Sequence, residues 1–300
     1  MFKMSLITKL SSRMRAPVTL PWLPDGRTVV VPGRGEFFVR YFVHPDPEAP
    51  TLLLLHGWTA SIDLQFFTAY QQIAEKYSFV GIDHRGHGRG LRSSDPFSLE
   101  DCADDAAAVL NTLGISRVIT VGYSMGGPIS MLLCRRHRHL VQAMVLQATA
   151  LEWNATRREK NHWRISRIVA PVLRHISSPR VVRATLRRII PKKSEMSDLR
   201  DWIIGEIRRN DPWIIAEAGR ALGRYDARSW AHELDVPAAM VVTMGDRLVT
   251  PEKQQRLAEA LQAHVVPLDG DHFVTLASPG LYSTATRIAV DYVAHQISNQ

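Results

Sequence analysis

The run Gly122-Tyr123-Ser124-Met125-Gly126 decides how this chain is read. Before it, Arg117 to Val121 is a strand-length run rich in β-branched side chains. After it, Met125 to Arg136 has the length and composition of a helix. A serine at such a strand-to-helix corner is forced into a strained backbone, and small flanking residues let the chain turn without a clash. The turn lifts the hydroxyl above the sheet edge. It also aims the helix N-terminus, and the N–H of Met125, at a developing oxyanion. Gly-x-Ser-x-Gly alone also arises by chance in glycine-rich turns. With a strand before it and a helix after it, the run points to a nucleophilic Ser124.

Strand-like and helix-like runs alternate on both sides of that corner. Thr28 to Val31, the turn Pro32-Gly33-Arg34-Gly35, and Glu36 to Phe42 read as a β-hairpin. Leu52 to Leu55 is continuously apolar, as a strand buried on both faces requires. Leu64 to Tyr77 is expected as a helix, Phe79 to Ile82 as a strand, Leu99 to Leu113 as a helix and Val141 to Leu146 as the sixth strand. The alternation then stops. Arg157 to Leu173, Arg180 to Ile190, Asp198 to Arg209 and Trp213 to Tyr225 all have helical patterns, broken at Pro171, Pro179, Pro191 and Pro212. It resumes with a strand at Ala238 to Thr243, a helix at Glu252 to Leu261, a strand at His264 to Pro267 and a closing helix from Leu281 to Gln296. Such alternation implies βα units. The expected architecture is α/β, a mostly parallel sheet flanked by helices. Residues 27–150 and 234–300 form its core, 151–233 a helical lid and 1–26 a basic tail.

A serine hydroxyl needs a base, and the base needs an orienting acid. His272, in Gly270-Asp271-His272-Phe273, follows the last strand-like run, and Asp246, in Gly245-Asp246-Arg247, follows the strand before it. The order is Ser124, Asp246, His272. All three sit at carboxyl ends of expected strands, where open α/β sheets place their ligand sites. Asp269 and Asp271 are rival acids. Adjacent residues of an extended segment point to opposite sides, which disfavours Asp271. His137, His139 and His175 lie among arginines and read as solvated. His84 and His87, in Asp83-His84-Arg85-Gly86-His87-Gly88, read as part of a turn in which Asp83 and Arg85 enter a structural polar network. His56-Gly57-Trp58 follows the buried strand. It is either a plain strand-ending turn or the source of a second oxyanion donor, with Trp58 N–H joining that of Met125. The rings of Trp58, Tyr123 and Phe273 are expected in the substrate pocket.

The chain has 300 residues and is 45% hydrophobic, enough for the core of one large domain. Its ordinary glycine and proline content excludes a fibrous or disordered chain. Cys102 and Cys134 read as free thiols on helix-like segments, which fits a reducing, cytoplasmic compartment. No apolar run approaches the roughly 18 residues of a membrane-spanning helix. The stretch up to Pro17 lacks the apolar region of a secretory signal. It reads as a frayed tail, with a short basic amphipathic anchor as the alternative.

Charge is unevenly spread. Between Leu151 and Glu233, Lys and Arg outnumber Asp and Glu by eight, so this segment carries the whole net charge of +8. It also holds Trp153, Trp163, Trp202, Trp213 and Trp230. A solvated basic face over an apolar inner face is the plain reading. Peripheral contact with anionic lipid through residues such as Arg187 and Arg188 is a second. Nucleic-acid binding is not expected, since no recognised motif accompanies the charge.

Five landmarks together carry a family resemblance: His56-Gly57-Trp58, Asp83 to Gly88, Gly122 to Gly127, Gly245-Asp246 and Gly270 to His272. From about Thr28 to Gln300 the chain resembles the α/β-hydrolase superfamily, in its serine esterase/lipase-like branch with a helical lid. The resemblance implies a Ser-His-Asp triad, no metal and no organic cofactor. Serine at the corner separates it from epoxide hydrolases and haloalkane dehalogenases, which place aspartate there. Two departures stand out: His84, where a small or aliphatic residue is frequent, and the bulk of Trp58. The implied activity is hydrolysis of small-molecule or lipid esters, lipase-like in the lid-bearing members. Thioester, C–C bond and cofactor-free perhydrolase chemistry use the same triad. A non-catalytic binding protein is the remaining class, although such proteins usually lack a triad member and none is missing here.

Overall fold

The computed structural model describes residues 21–154 and 195–299. Its centre is an eight-stranded sheet: β1 (Asp25–Val31), β2 (Gly35–Phe42), β3 (Thr51–Leu55), β4 (Ser78–Ile82), β5 (Val118–Tyr123), β6 (Val141–Gln147), β7 (Ala238–Thr243) and β8 (His264–Leu268). The spatial order is β1-β2-β4-β3-β5-β6-β7-β8. The β1–β2 hairpin and the β2–β4 pair are antiparallel, and every other pair is parallel.

The apolar runs work in two directions. In β3, Leu53 and Leu55 enter one core and Leu52 and Leu54 the other, because successive strand side chains point to opposite faces. Strand β6 does the same with Met144 and Leu146 against Ala143 and Val145. Burying each of the four β3 leucines contributes about 1.5–3 kcal/mol. The first core is covered by α3 (Leu99–Thr112), α4 (Gly126–Arg136) and α7 (Pro251–Ala260). The second is covered by α1 (Ile62–Phe66), α2 (Tyr70–Ala74) and α9 (Pro279–Ser298). Both cysteines are free and buried.

Two local expectations change. The single helix at Leu64 to Tyr77 is instead α1 and α2, parted by a turn. Phe66, Phe67, Ala69 and Tyr70 are all buried, and one continuous helix spreads neighbouring side chains about 100° apart. A break lets all four face the core. The closing helix starts early, at Pro279, and a short α8 (Val274–Ala277) precedes it.

Between β6 and β7 the described chain is helical: α5 (Arg200–Arg208) and α6 (Pro212–Leu222). The segment leaves and returns at one place. Ala227 N–H donates to the Leu151 carbonyl at 2.8 Å, and Glu152 bridges to Asp226. The N-terminal tail to residue 20, the expected helices Arg157 to Leu173 and Arg180 to Ile190, and Trp163, His175, Arg187 and Arg188 lie outside the described residues. Among the described residues no helix is long and apolar enough to cross a membrane.

Candidate active site

Ser124 follows directly on β5 and stands one residue before Met125, which caps α4. Its φ of +51° is left-handed, the strained geometry a nucleophile corner needs. Two bonds hold it: Ser124 N–H donates to the Gln147 carbonyl at 2.8 Å, and Gly127 N–H to the Ser124 carbonyl at 2.9 Å. The flanking glycines are steric necessities. A Cβ on Gly122 would collide with the Gly126 carbonyl, and one on Gly126 with the Leu55 carbonyl.

His272 follows β8 and spans the other two residues. Its Nε2 lies 3.0 Å from Ser124 Oγ and its Nδ1 2.7 Å from Asp246 Oδ2. Asp246 is buried and held from several sides. Its Oδ1 accepts from the N–H groups of Leu248 (2.8 Å) and Val249 (3.0 Å). Its Oδ2 accepts from Thr243 Oγ1 at 3.0 Å and, more distantly, from Gln254 Nε2 at 3.4 Å. The two loops are tied together where Gly245 N–H donates to the Gly270 carbonyl at 2.9 Å. Of the rival acids, Asp271 is exposed and accepts from Phe273 N–H, and Asp269 is exposed.

The loop after β3 lies against Ser124, since a Cβ on Gly57 would come 3.3 Å from Ser124 Cβ. His56 fixes this loop. Its Nε2 accepts from His84 N–H at 3.0 Å, so in the neutral ring Nδ1 carries the proton and donates it to the Gly57 carbonyl at 2.8 Å. Burial, with His84 and His87 beside it, holds His56 well below the usual histidine range. In a trans peptide the N–H points opposite to the C=O. Anchoring the Gly57 carbonyl therefore also aims Trp58 N–H.

The pocket residues take different places. The Trp58 indole turns to the insert, with Nε1 donating to the Ile215 carbonyl of α6 at 2.8 Å. Tyr123 is buried, and its hydroxyl donates to the His272 carbonyl at 3.1 Å. Burial raises this phenol well above its usual range, so it stays a donor. Phe273 is 40% exposed and meets the His272 ring edge-on.

The Asp83–Gly88 turn is structural, as its sequence suggests. Asp83 accepts from Ile62 N–H (2.6 Å) and Arg89 N–H (2.7 Å), and burial pushes its carboxyl up to about 6. Arg85 pairs with Asp105 at 2.8 Å. His84 and His87 pack beside His56, and burial lowers them to about 3 and about 4. His139 is exposed, whereas His137 reaches Asp104 at 2.7 Å. Among the described residues no cluster of His, Cys, Asp and Glu is arranged to hold a metal ion.

Sequence reasoning missed Gln254, Thr243 and the side chain of His56. Gln254 Nε2 bonds Thr243 Oγ1 and the Val249 carbonyl, both at 2.7 Å, and its Oε1 accepts from Thr243 N–H at 3.0 Å. No local signal marks it, because a glutamine in an amphipathic helix reads as solvated.

Comparison with known proteins bears on the fold. Residues 50–179 match the family described as the alpha/beta hydrolase fold. The AB hydrolase superfamily protein YisY of Bacillus subtilis is 23% identical over 77% of this chain and 88% of its own. A pimeloyl-[acyl-carrier protein] methyl ester esterase of Neisseria meningitidis is 27% identical over 71% of this chain and 80% of its own. Among solved structures, an esterase from Exiguobacterium antarcticum has a TM-score of 0.75 at 18% identity, covering 90% of this chain and 100% of that one. The enol-lactonase from Burkholderia xenovorans has a TM-score of 0.73 at 22% identity, covering 89% and 100%. With its mostly parallel eight-stranded sheet and the serine corner that follows β5, the chain has the α/β-hydrolase fold.

Proposed function

We propose that this hydrolase cleaves carboxylic esters, with Ser124 as nucleophile, His272 as general base and Asp246 as orienting acid. The observation that carries the reading is the imidazole of His272, within hydrogen-bond distance of Ser124 Oγ on one nitrogen and Asp246 Oδ2 on the other. In the first step His272 Nε2 takes the Ser124 proton as Oγ attacks the acyl carbon. Asp246 accepts from Nδ1–H throughout and stabilises the imidazolium. The N–H groups of Met125 and Trp58 stabilise the tetrahedral oxyanion. The imidazolium then protonates the leaving alkoxide, and water, deprotonated by the same nitrogen, cleaves the acyl-enzyme. The described helices α5 and α6, which lie against the loop after β3, help to select the acyl group. A methyl ester esterase among the relatives supports the ester reading.

Turnover of p-nitrophenyl esters of rising chain length, with Ser124→Ala alongside, tests this reading. The variant is expected to lose at least about three orders of magnitude in kcat and all labelling by a fluorophosphonate. A Ser124→Ala chain that keeps wild-type turnover rules the assignment out.

A further inference from the structure

The joint between α5 and α6 grips the loop that follows β3. Asn210 lies in that joint. Its Nδ2 donates to the Thr59 carbonyl at 2.7 Å and to the Ile207 carbonyl at 3.0 Å, and its Oδ1 accepts from Gly88 N–H at 2.9 Å. Two partners are carbonyls and the third is an N–H, so the orientation of this amide follows from its partners' chemistry. An asparagine between two helices ordinarily serves the helix ends. The bond to Ile207 does that; the other two reach loops more than a hundred residues away in sequence.

The gripped residue is strained. Thr59 has φ of +66° without being glycine, a conformation that persists only where its surroundings over-determine it. Ala60 N–H donates to the Gly57 carbonyl at 3.3 Å, closing a four-residue turn with Thr59 third. A positive φ at that position marks the type II form. The type I form has a negative φ there and a flipped central peptide. The insert holds the flanking residues too. Trp58 Nε1 bonds the Ile215 carbonyl, and Ser61 Oγ donates to the buried Glu206 Oε2 at 2.7 Å.

We propose that Asn210 is a positioning residue for hydrolysis: by holding the Thr59 carbonyl, it anchors the strained end of the Gly57–Ala60 turn and so fixes the place of the turn's first peptide, whose Trp58 N–H faces the oxyanion. The inference rests on the ester-hydrolase reading and gives α5 and α6 a fixed role as a brace. Asn210→Ala removes the grip. Asn210→Asp keeps the shape and the bond to Gly88 but turns an oxygen toward two carbonyls.

The test is steady-state kinetics on p-nitrophenyl butyrate. It is paired with inhibition by a trifluoromethyl ketone, whose serine adduct carries the oxyanion, and with thermal unfolding. Both variants should lose about ten- to a hundredfold in kcat, with KM held within about twofold. Ketone affinity should fall in step with kcat/KM. Adding Thr59→Gly to Asn210→Ala, which relieves the left-handed cost, should restore part of kcat. A merely structural residue would lower the melting temperature and leave kcat and ketone affinity of the folded protein unchanged, and that result overturns the proposal. Should Asn210→Ala fail to fold, Asn210→Asp is read by the same criteria. A wild-type chain that takes no fluorophosphonate label and hydrolyses no ester defeats the hydrolase reading and this proposal with it. Labelled wild type with unimpaired Asn210 variants defeats this proposal alone.

Discussion

The hydroxyl of Tyr123 donates to the main-chain carbonyl of His272 across 3.1 Å. The residue before Ser124 thus holds the loop that carries His272, and the two rings meet edge to face at 5.7 Å. In Tyr123→Phe the ring stays and the bond goes, leaving the His272 carbonyl without that donor. The expected cost is about 1 kcal/mol of stability and a drop of about three- to tenfold in kcat from a looser base, with KM little changed. Ester kinetics and thermal unfolding on the same preparation check both.

Gln254→Leu should be more damaging than a glutamine on a helix suggests. It strips Thr243 N–H and the Val249 carbonyl of buried partners and removes one of the groups around Asp246. Each orphaned group costs about 1–3 kcal/mol. The melting temperature should fall by several degrees, and kcat should fall in the fraction that remains folded. A chemical denaturation curve with an unshifted midpoint would contradict this.

Acid should unfold the protein through its buried histidines. The folded values of His84 and His87, about 3 and about 4, lie below the unfolded value of 6.5, and His56 is lowered too. Between pH 6 and the folded values the unfolded chain therefore binds three more protons at these sites. Asp83 opposes them: its folded value of about 6 lies above 3.8, so there the folded chain binds the extra proton. The net uptake on unfolding near pH 5 is two protons, a slope of up to about 2.7 kcal/mol per pH unit. The histidine contribution is fully present above pH 6.5 and is lost as the pH falls toward 4. Midpoints of urea denaturation from pH 7 to 4.5 measure it, and a flat profile refutes it.

How much of this was legible follows from how far each residue acts along the chain. The apolar runs of β3, β5, β6 and β7 declare themselves because both faces are covered. Strand ends and glycine neighbours point to Ser124, Asp246 and His272, and the fold brings these three side chains within hydrogen-bond distance. The α1–α2 break was not legible, since it depends on which rings the second core admits. Asn210, Gln254 and the imidazole of His56 were not legible either. Most of their partners are carbonyl and N–H groups with no residue-type signature, and several are brought near only by the fold. Trp58 was placed by its backbone, while its indole answers to Ile215 in a helix that begins at Pro212.

The insert exits at Leu151 and re-enters at Ala227, where the two residues are already hydrogen-bonded. Its ends form a single socket, so a different loop of any length can be grafted there without stretching the sheet. Substrate range can then diverge by exchange of cassettes while the strands stay constant. A foreign cassette that brings no equivalent of Asn210 would arrive with its own substrate preference and a slack oxyanion loop. Chimeras of this kind should bind before they turn over.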